Sequence, residues 1–265
     1  MIEIDEGLVS VKCYSALSLI VPKVTSTSSS TDDIDSLSTR VHLKECELLY
    51  PSSQQQQQSN DSSIHEQVLR AHNAVVLSHQ IYSSVFKWVP EDYYTYKLSE
   101  RAKVLGAHST WQLCKSMLLE NKNYDPSLST DDDSYRQFYL VVLQYETSIS
   151  TKKLQSEIKA LRPVLKRIDP SKFDFRVASS ADNDKLTGYT HNAVTPFGLL
   201  EYVPIILSSS IMDTDMTQFI WMGGGHVHCK VGMATKDFVK ALNPLVLDVT
   251  EPRTKNSSGE NMDTD

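Results

Sequence analysis

Gly188-Tyr-Thr-His-Asn-Ala-Val-Thr-Pro-Phe-Gly198 is bounded by glycines and carries Pro196 near its far end, a composition that fixes a backbone path instead of feeding a core. It reads as a shaped loop. About thirty residues on, a second glycine-rich segment, Trp221-Met-Gly-Gly-Gly-His226, is entered directly from an apolar strand-like run. Two such loops are expected to wall one pocket, of a kind that suits a small molecule or an acyl group.

Outward from these loops the chain alternates between helical and extended patterns. Residues 64–82 lack Gly and Pro and read as a helix, and 85–89 as a short strand closed by Pro90. Residues 98–106 form a helix stopped by Gly106, with Ser99 as its expected cap. Residues 113–120 and 138–145 are strands, and 150–162 is an amphipathic helix with Leu154, Ile158 and Leu161 inward. Strands are expected at 203–207, 218–222, 227–231 and 245–249, with a helix at 235–242 ended by Asn243-Pro244. No regular βαβ period appears. The fold class is therefore α/β (α+β), a mixed, partly antiparallel sheet flanked by helices, and not a doubly wound nucleotide fold. Gly223-Gly-Gly-His226 has neither the GxGxxG nor the GxxxxGK[ST] spacing and leads into a strand.

The chain has 265 residues and a formal charge of −7. Residues 66–250 hold 20 Lys+Arg and 20 Asp+Glu, so the acidic excess lies outside them, with 4 against 9 in residues 1–65 and 2 against 4 in residues 251–265. Three parts are expected: an N-terminal extension over 1–63, a globular domain over 64–250 and a flexible tail over 251–265. Within the extension, 24–40 and 51–63 are low in complexity, including five glutamines from Gln54 to Gln58, and cannot bury enough apolar area to offset ordering entropy. The neutral block still holds a local basic run from Lys152 to Arg176, readable as a solvated helix face or as a phosphate-contacting surface. Cys13, Cys46, Cys114 and Cys229 are scattered, which supports neither a disulfide framework nor a four-cysteine zinc site. The start Met1-Ile-Glu-Ile-Asp-Glu6 lacks a secretory pattern, and no apolar run approaches the ~20 residues that span a bilayer. A cytoplasmic protein is expected.

Lys115 carries the chemical argument. On an extended segment it shares a face with Leu113 and Met117, while Cys114, Ser116 and Leu118 point the other way. A lysine on such a strand either snorkels at an edge or reaches a partner in a pocket. Cys114 as a nucleophile lacks an orienting His-Asp pair. His226, His228 and Cys229 lack identifiable third and fourth metal ligands, Asp131-Asp-Asp133 lacks the glycine turn and distal glutamate of a calcium loop, and no GxSxG elbow is present. No metal or cofactor is expected.

Taken in order, 98–106, Gln112-Leu-Cys-Lys-Ser-Met-Leu-Leu119, Arg176-Val-Ala-Ser179, 186–199, Val203-Pro-Ile-Ile-Leu207, 219–225 and 234–242 resemble the YbaK / prolyl-tRNA-synthetase-associated editing domain family, over roughly residues 65–249. The resemblance implies a single YbaK-like domain acting as a free-standing trans-editing hydrolase that deacylates a mischarged aminoacyl-tRNA, Ala- or Cys-tRNA(Pro) first among them. Lys115 matches the family's functional lysine. The family's GxxxP loop matches Asn192-Ala-Val-Thr-Pro196, with asparagine in the place of the first glycine. The resemblance then places the substrate on Asn192, Ala193, Thr195, Pro196, Phe197 and Gly198 and on Gly223, Gly224, Gly225 and His226, with amides of both segments as donors to the carbonyl oxygen. The tRNA acceptor end is the expected partner, contacted through Lys152, Lys153 and Lys159, and an aminoacyl-tRNA synthetase is a second; neither DNA nor a membrane is expected. The competing reading is a non-catalytic tRNA- or synthetase-binding adaptor on the same fold, favoured by Asn192 and by the long polar extension.

Overall fold

Residues 139–143, Tyr-Leu-Val-Val-Leu, are wholly inaccessible to solvent, which requires cover on both faces of the strand that carries them. A computed structural model describes residues 61–253 apart from 131 and 213–216. In it that strand, β3 (Phe138–Gln144), lies at the centre of a five-stranded sheet. Its neighbour β2 (Cys114–Asn121) is antiparallel, with Lys115 opposite Leu143 and Leu119 opposite Tyr139. β5 (Phe175–Val177) pairs antiparallel with the far end of β2, while β6 (Ile205–Ser208) and β9 (Leu245–Leu247) continue the other side in parallel. The order is β5-β2-β3-β6-β9, a mixed sheet as the sequence predicts.

A second, antiparallel sheet has the order β1-β8-β7, from Val85–Trp88, Cys229–Ala234 and Phe219–His226. A parallel bridge between Leu113 and Trp221 joins it to the larger sheet. β4 (Thr147–Ile149) and β10 (Thr250–Pro252) form a small ribbon. Five α-helices are described: α1 (Asp61–Asn73), α2 (Leu98–Leu105), α3 (Thr151–Ala160), α4 (Ser180–Thr187) and α5 (Thr235–Leu242). α3 buries Leu154 and Ile158 against Leu119, Tyr139, Val141 and Leu143. Val75 of the turn after α1 and Phe238 of α5 pack in the core that contains Val142, Phe197 and Met222. Each fully buried Phe or Leu contributes about 1.5–3 kcal/mol. No described helix is long and apolar enough to cross a membrane.

Several expectations need correction. α1 runs from Asp61 to Asn73 and continues as a π turn, Ala74–Ser78, so it starts inside the low-complexity stretch and stops short of residue 82. Ser99 is inside α2; the N-cap is Lys97, whose N–H donates to Glu100 Oε2 at 3.0 Å, while Gly106 closes the helix as expected at φ 74°. α3 ends at Ala160, so Leu161 turns outward and is 37% exposed. Glu251 and Pro252 belong to β10 and not to a free tail. α4 was not readable because its sequence, Ser-Ala-Asp-Asn-Asp-Lys-Leu-Thr, buries only Thr187; it is made by its ends, Ser179 Oγ accepting from Asp182 N–H at 3.1 Å and Gly188 at φ 72°. The low-complexity segments 24–40 and 51–60 and the tail beyond 253 lie outside the described residues.

Candidate functional site

β2 extends beyond its outer neighbour. β5 reaches only Leu119, with Ala178 N–H donating to Leu118 O at 2.9 Å, so residues 114–118 run on past the end of that ladder. A cavity of about 210 Å³ lies there, bordered by both faces of β2: Cys114, Lys115, Ser116, Met117 and Leu118. Asn192 and Val194 of the 188–198 loop, with Trp221, Met222 and Gly223 of β7, border it as well. Tyr93, Tyr94, Leu105, Tyr145 and Lys230 line it too, and Ser180, Asn183 and Asp184 of α4 and His191 of the loop join Asn192 as its polar residues on that side.

The loop is held in place by its own backbone requirements and by α1. Gly188, Asn192 and Gly198 all have positive φ, at 72°, 63° and 68°, and asparagine is the non-glycine residue that adopts this region most readily. Asn192 therefore holds the left-handed turn. Arg70 of α1 reaches across the loop's two ends, Nε donating to Gly198 O at 2.9 Å and Nη2 to Gly188 O at 2.5 Å, with its guanidinium 4.5 Å from the centre of the Tyr189 ring. Tyr189 Oη donates to Phe197 O at 2.7 Å.

The second glycine segment is not a loop. β7 continues through Gly223, Gly224 and Gly225 to His226, and the chain turns only at Val227-His228, so β8 starts at Cys229. The glycines are there because other backbone lies against the strand. A Cβ on Gly223 would sit 2.3 Å from Val194 O, and one on Gly225 2.8 Å from Gln67 O. The expected meeting of the two segments holds, as a strand and a loop in contact.

Lys115, the expected catalytic residue, lines the cavity, as do Asn192 and Gly223 among the residues expected to bind substrate. Ala193, Thr195 and Phe197 are fully buried, and Phe197 packs edge-on to Phe238 at 5.8 Å; they and buried Pro196 form the loop's core side. Gly198 sits under Arg70, a Cβ on Gly224 would meet Cys229 Sγ at 3.0 Å, and the His226 ring lies 5.2 Å from Trp88. Two expected donors are taken: Gly225 N–H donates to Ala193 O at 3.2 Å and Ala193 N–H to Thr190 O at 3.0 Å. Lys152, Lys153 and Lys159 lie on α3, and none borders the cavity; Lys153 Nζ is bound to Asp248 and, at 2.9 Å, to Thr250 O.

Two residues that sequence reading missed stand out in the cavity. Lys230, only 5% exposed, donates from Nζ to Tyr94 Oη at 2.7 Å and to Val227 O at 2.8 Å, and lies 4.7 Å from the Tyr94 ring centre. Tyr94 Oη in turn donates to Asn192 O at 3.1 Å, so a buried lysine is linked through one tyrosine to the turn that shapes the loop. Burial lowers the Lys230 pKa to about 7; Cys229 opposes the shift, and Arg101 adds a smaller lowering. Lys230 sits in the apolar run Cys229-Lys-Val-Gly-Met-Ala234, and the argument made for Lys115 applies to it unchanged. Lys115 Nζ lies 5.6 Å from the centre of the Tyr145 ring. Burial pushes the Cys114 thiol well up, which keeps it protonated and a poor nucleophile.

A family model for the aminoacyl-tRNA editing domain matches residues 95–241, the span that contains β2, the loop and β7–β8. The chain belongs to the aminoacyl-tRNA editing domain family. Two solved structures share the editing-domain fold over 70% of this chain and 97% of their own: a proposed trans-editing enzyme for prolyl-tRNA synthetase, at 17% identity and TM-score 0.52, and a scaffold protein used in computational grafting of linear epitopes, at 16% and 0.52. At such identities the likeness is one of fold. No curated protein matches the chain.

Proposed function

We propose that this editing domain is a trans-editing hydrolase that deacylates a mischarged aminoacyl-tRNA, with Ala- or Cys-tRNA(Pro) as the first substrates to try. The observation that carries the reading is Lys115 on the projecting part of β2, bordering a cavity large enough for a small acyl group and closed on its far side by the 188–198 loop.

An aminoacyl ester is already activated. The protein has to seat the acyl group, hold a water at the carbonyl carbon and place donors where charge develops on the carbonyl oxygen. Water adds to the carbonyl, the ester C–O bond breaks, and the terminal ribose hydroxyl leaves with a proton. Lys115 supplies the positive charge at that point and anchors the adenosine end. Ser116 Oγ, on the opposite face of β2 from Lys115, is a second donor on the cavity wall: it lines the cavity, is buried, and has no hydrogen-bond partner among the described residues. These side chains replace the amides of Ala193 and Gly225, both already bonded within the protein. A cavity of this size accepts a small acyl group and discriminates against larger ones, the second sieve of an editing pair.

Ser116→Ala separates the hydroxyl's structural and chemical roles. An unpaired buried hydroxyl costs about 1–3 kcal/mol, so the variant is expected to match or exceed the parent in thermal stability while deacylating roughly tenfold more slowly. Equal rates would remove Ser116 from the site.

The tRNA body is assigned to the α3 lysines, with Lys152 and Lys159 as contacts and Lys153 partly committed to Asp248. Reversing Lys152 and Lys159 to glutamate should weaken tRNA binding and flatten its salt dependence by roughly two in log–log slope; an unchanged slope would put the RNA elsewhere.

The deciding experiment is release of alanine, cysteine and serine from tRNA(Pro) and from each cognate tRNA. Release from the proline tRNA alone establishes trans-editing. No release from any, with tRNA still bound, establishes the adaptor.

A further inference from the structure

One edge of β2 is laddered to β3 from Cys114 to Glu120, and the other is interrupted at the cavity. On that outer edge the β5 ladder stops at Leu119, followed by one last bond from Ala178 N–H to Leu118 O at 2.9 Å. β7 pairs with β2 only at the Leu113–Trp221 bridge. Backbone groups alternate in direction along a strand. Leu113 O accepts from Tyr145 N–H on the β3 side, and Leu118 O accepts from Ala178 on the outer side. The N–H and C=O of Ser116 therefore both point outward. No described strand pairs with that rung, and Ser116 lines the cavity. Its buried Oγ is likewise without a hydrogen-bond partner among the described residues.

An outward N–H and C=O on one edge residue is half of an antiparallel pair, in which two residues exchange both bonds. An α-aminoacyl ester carries the other half, an amine and a carbonyl on adjoining carbons. We propose that the aminoacyl group binds as a one-residue strand on Ser116, its α-ammonium donating to Ser116 O and its ester carbonyl accepting from Ser116 N–H. The inference rests on the cavity holding an acylated tRNA terminus, and names the main-chain groups that seat it. The gap is one rung long, because the edge on either side is held by Ala178 at Leu118 and by Trp221 at the Leu113 bridge. A longer peptide has no room to pair there.

Antiparallel pairing also fixes the polarity of the bound group. Its amine lies toward Met117 and the end of β5, where α4 follows and contributes Asp184, the single carboxylate among the described lining residues. Its ester and ribose lie toward Lys115 and Cys114. An ammonium at one end and an adenosine terminus at the other match those charges. Ser116 N–H is then directed at the oxygen on which charge develops, a role closed to the amides of Ala193 and Gly225, which are bonded to Thr190 O and Ala193 O. Ser116 faces Val142 at a rung that carries no ladder bonds, so proline at 116 removes the outward N–H and none of the bonds to β3.

The probes are 3′-alanylamido-3′-deoxyadenosine, a stable amide mimic of an acylated terminus, and its propionylamido counterpart, which lacks only the amine. Amide hydrogen exchange of the free protein, followed residue by residue by NMR, should show Ser116 exchanging faster than Met117, whose N–H lies in the β3 ladder. Saturating alanyl mimic should slow Ser116 at least roughly tenfold. It should also bind at least roughly tenfold more tightly than the propionyl mimic. Ser116→Ala is expected to keep that ratio, and Ser116→Pro to weaken both mimics while keeping it, since the carbonyl at 116 remains. A Ser116 amide that is already as protected as that of Met117, or that the bound mimic leaves unchanged, overturns the inference; so does equal binding of the two mimics. Deacylation of aminoacyl-tRNA would stand in each of these cases. Failure of both mimics to bind overturns it together with the assignment of the cavity to the acylated terminus. If Ser116→Pro does not fold, exchange and the ratio of the two mimics decide.

Discussion

Alanine at position 223 is expected to destabilise the protein by roughly 2–4 kcal/mol and to abolish ligand binding. The added methyl would lie 2.3 Å from Val194 O and 3.2 Å from Ala193 O. Both are backbone atoms, which cannot swing aside as the end of a flexible side chain can. The loop cannot rise freely either, because Arg70 holds both its ends and Gly225 N–H holds Ala193 O. Relief must therefore come from separating β7 from the loop, which opens the cavity wall. Chemical denaturation should show a lower midpoint at an unchanged slope, and a midpoint within about 0.5 kcal/mol of the parent would mean that the contact is far softer than its geometry.

Lys115→Met should have the opposite profile: near-parental stability, with kcat/KM for deacylation reduced at least roughly 100-fold. The side chain is only half-buried and its hydrocarbon stem is matched by methionine, so little packing is lost. The loss should appear mainly in kcat if the ammonium acts on the developing oxyanion, and mainly in KM if it only anchors the adenosine. Activity within fivefold of the parent would remove Lys115 from the chemistry.

What the sequence allowed one to read follows the physics of each element. β3 was legible because a run buried on both faces, Tyr139 to Leu143, has to be continuously apolar. α2 and α5 were legible from their apolar spacing and their stops, Gly106 and Asn243, both left-handed. α4 was not, since its cause lies in two caps and not in a hydrophobic period. The glycines of β7 were misread as a loop because glycine records that something approaches, not what does; here it is Val194 O and Gln67 O. The site divides in the same way. Lys115 and the 192–196 turn were visible as local pattern, whereas Lys230, Tyr94 and Arg70 come from three separate stretches of chain and acquire their meaning from distances of 2.5–3.1 Å between them and the loop.

The bidentate hold of Arg70 on Gly188 and Gly198 turns the intervening segment into a macrocycle whose staple is a guanidinium instead of a disulfide. Chain entropy is then lost once, at folding, and not again at each binding event. The ring needs no oxidising conditions to close. It also relaxes the demand on the letter at position 192: with the ends stapled and Tyr94 on its carbonyl, the turn tolerates asparagine, and the loop's shape is carried by restraints lying outside its own sequence.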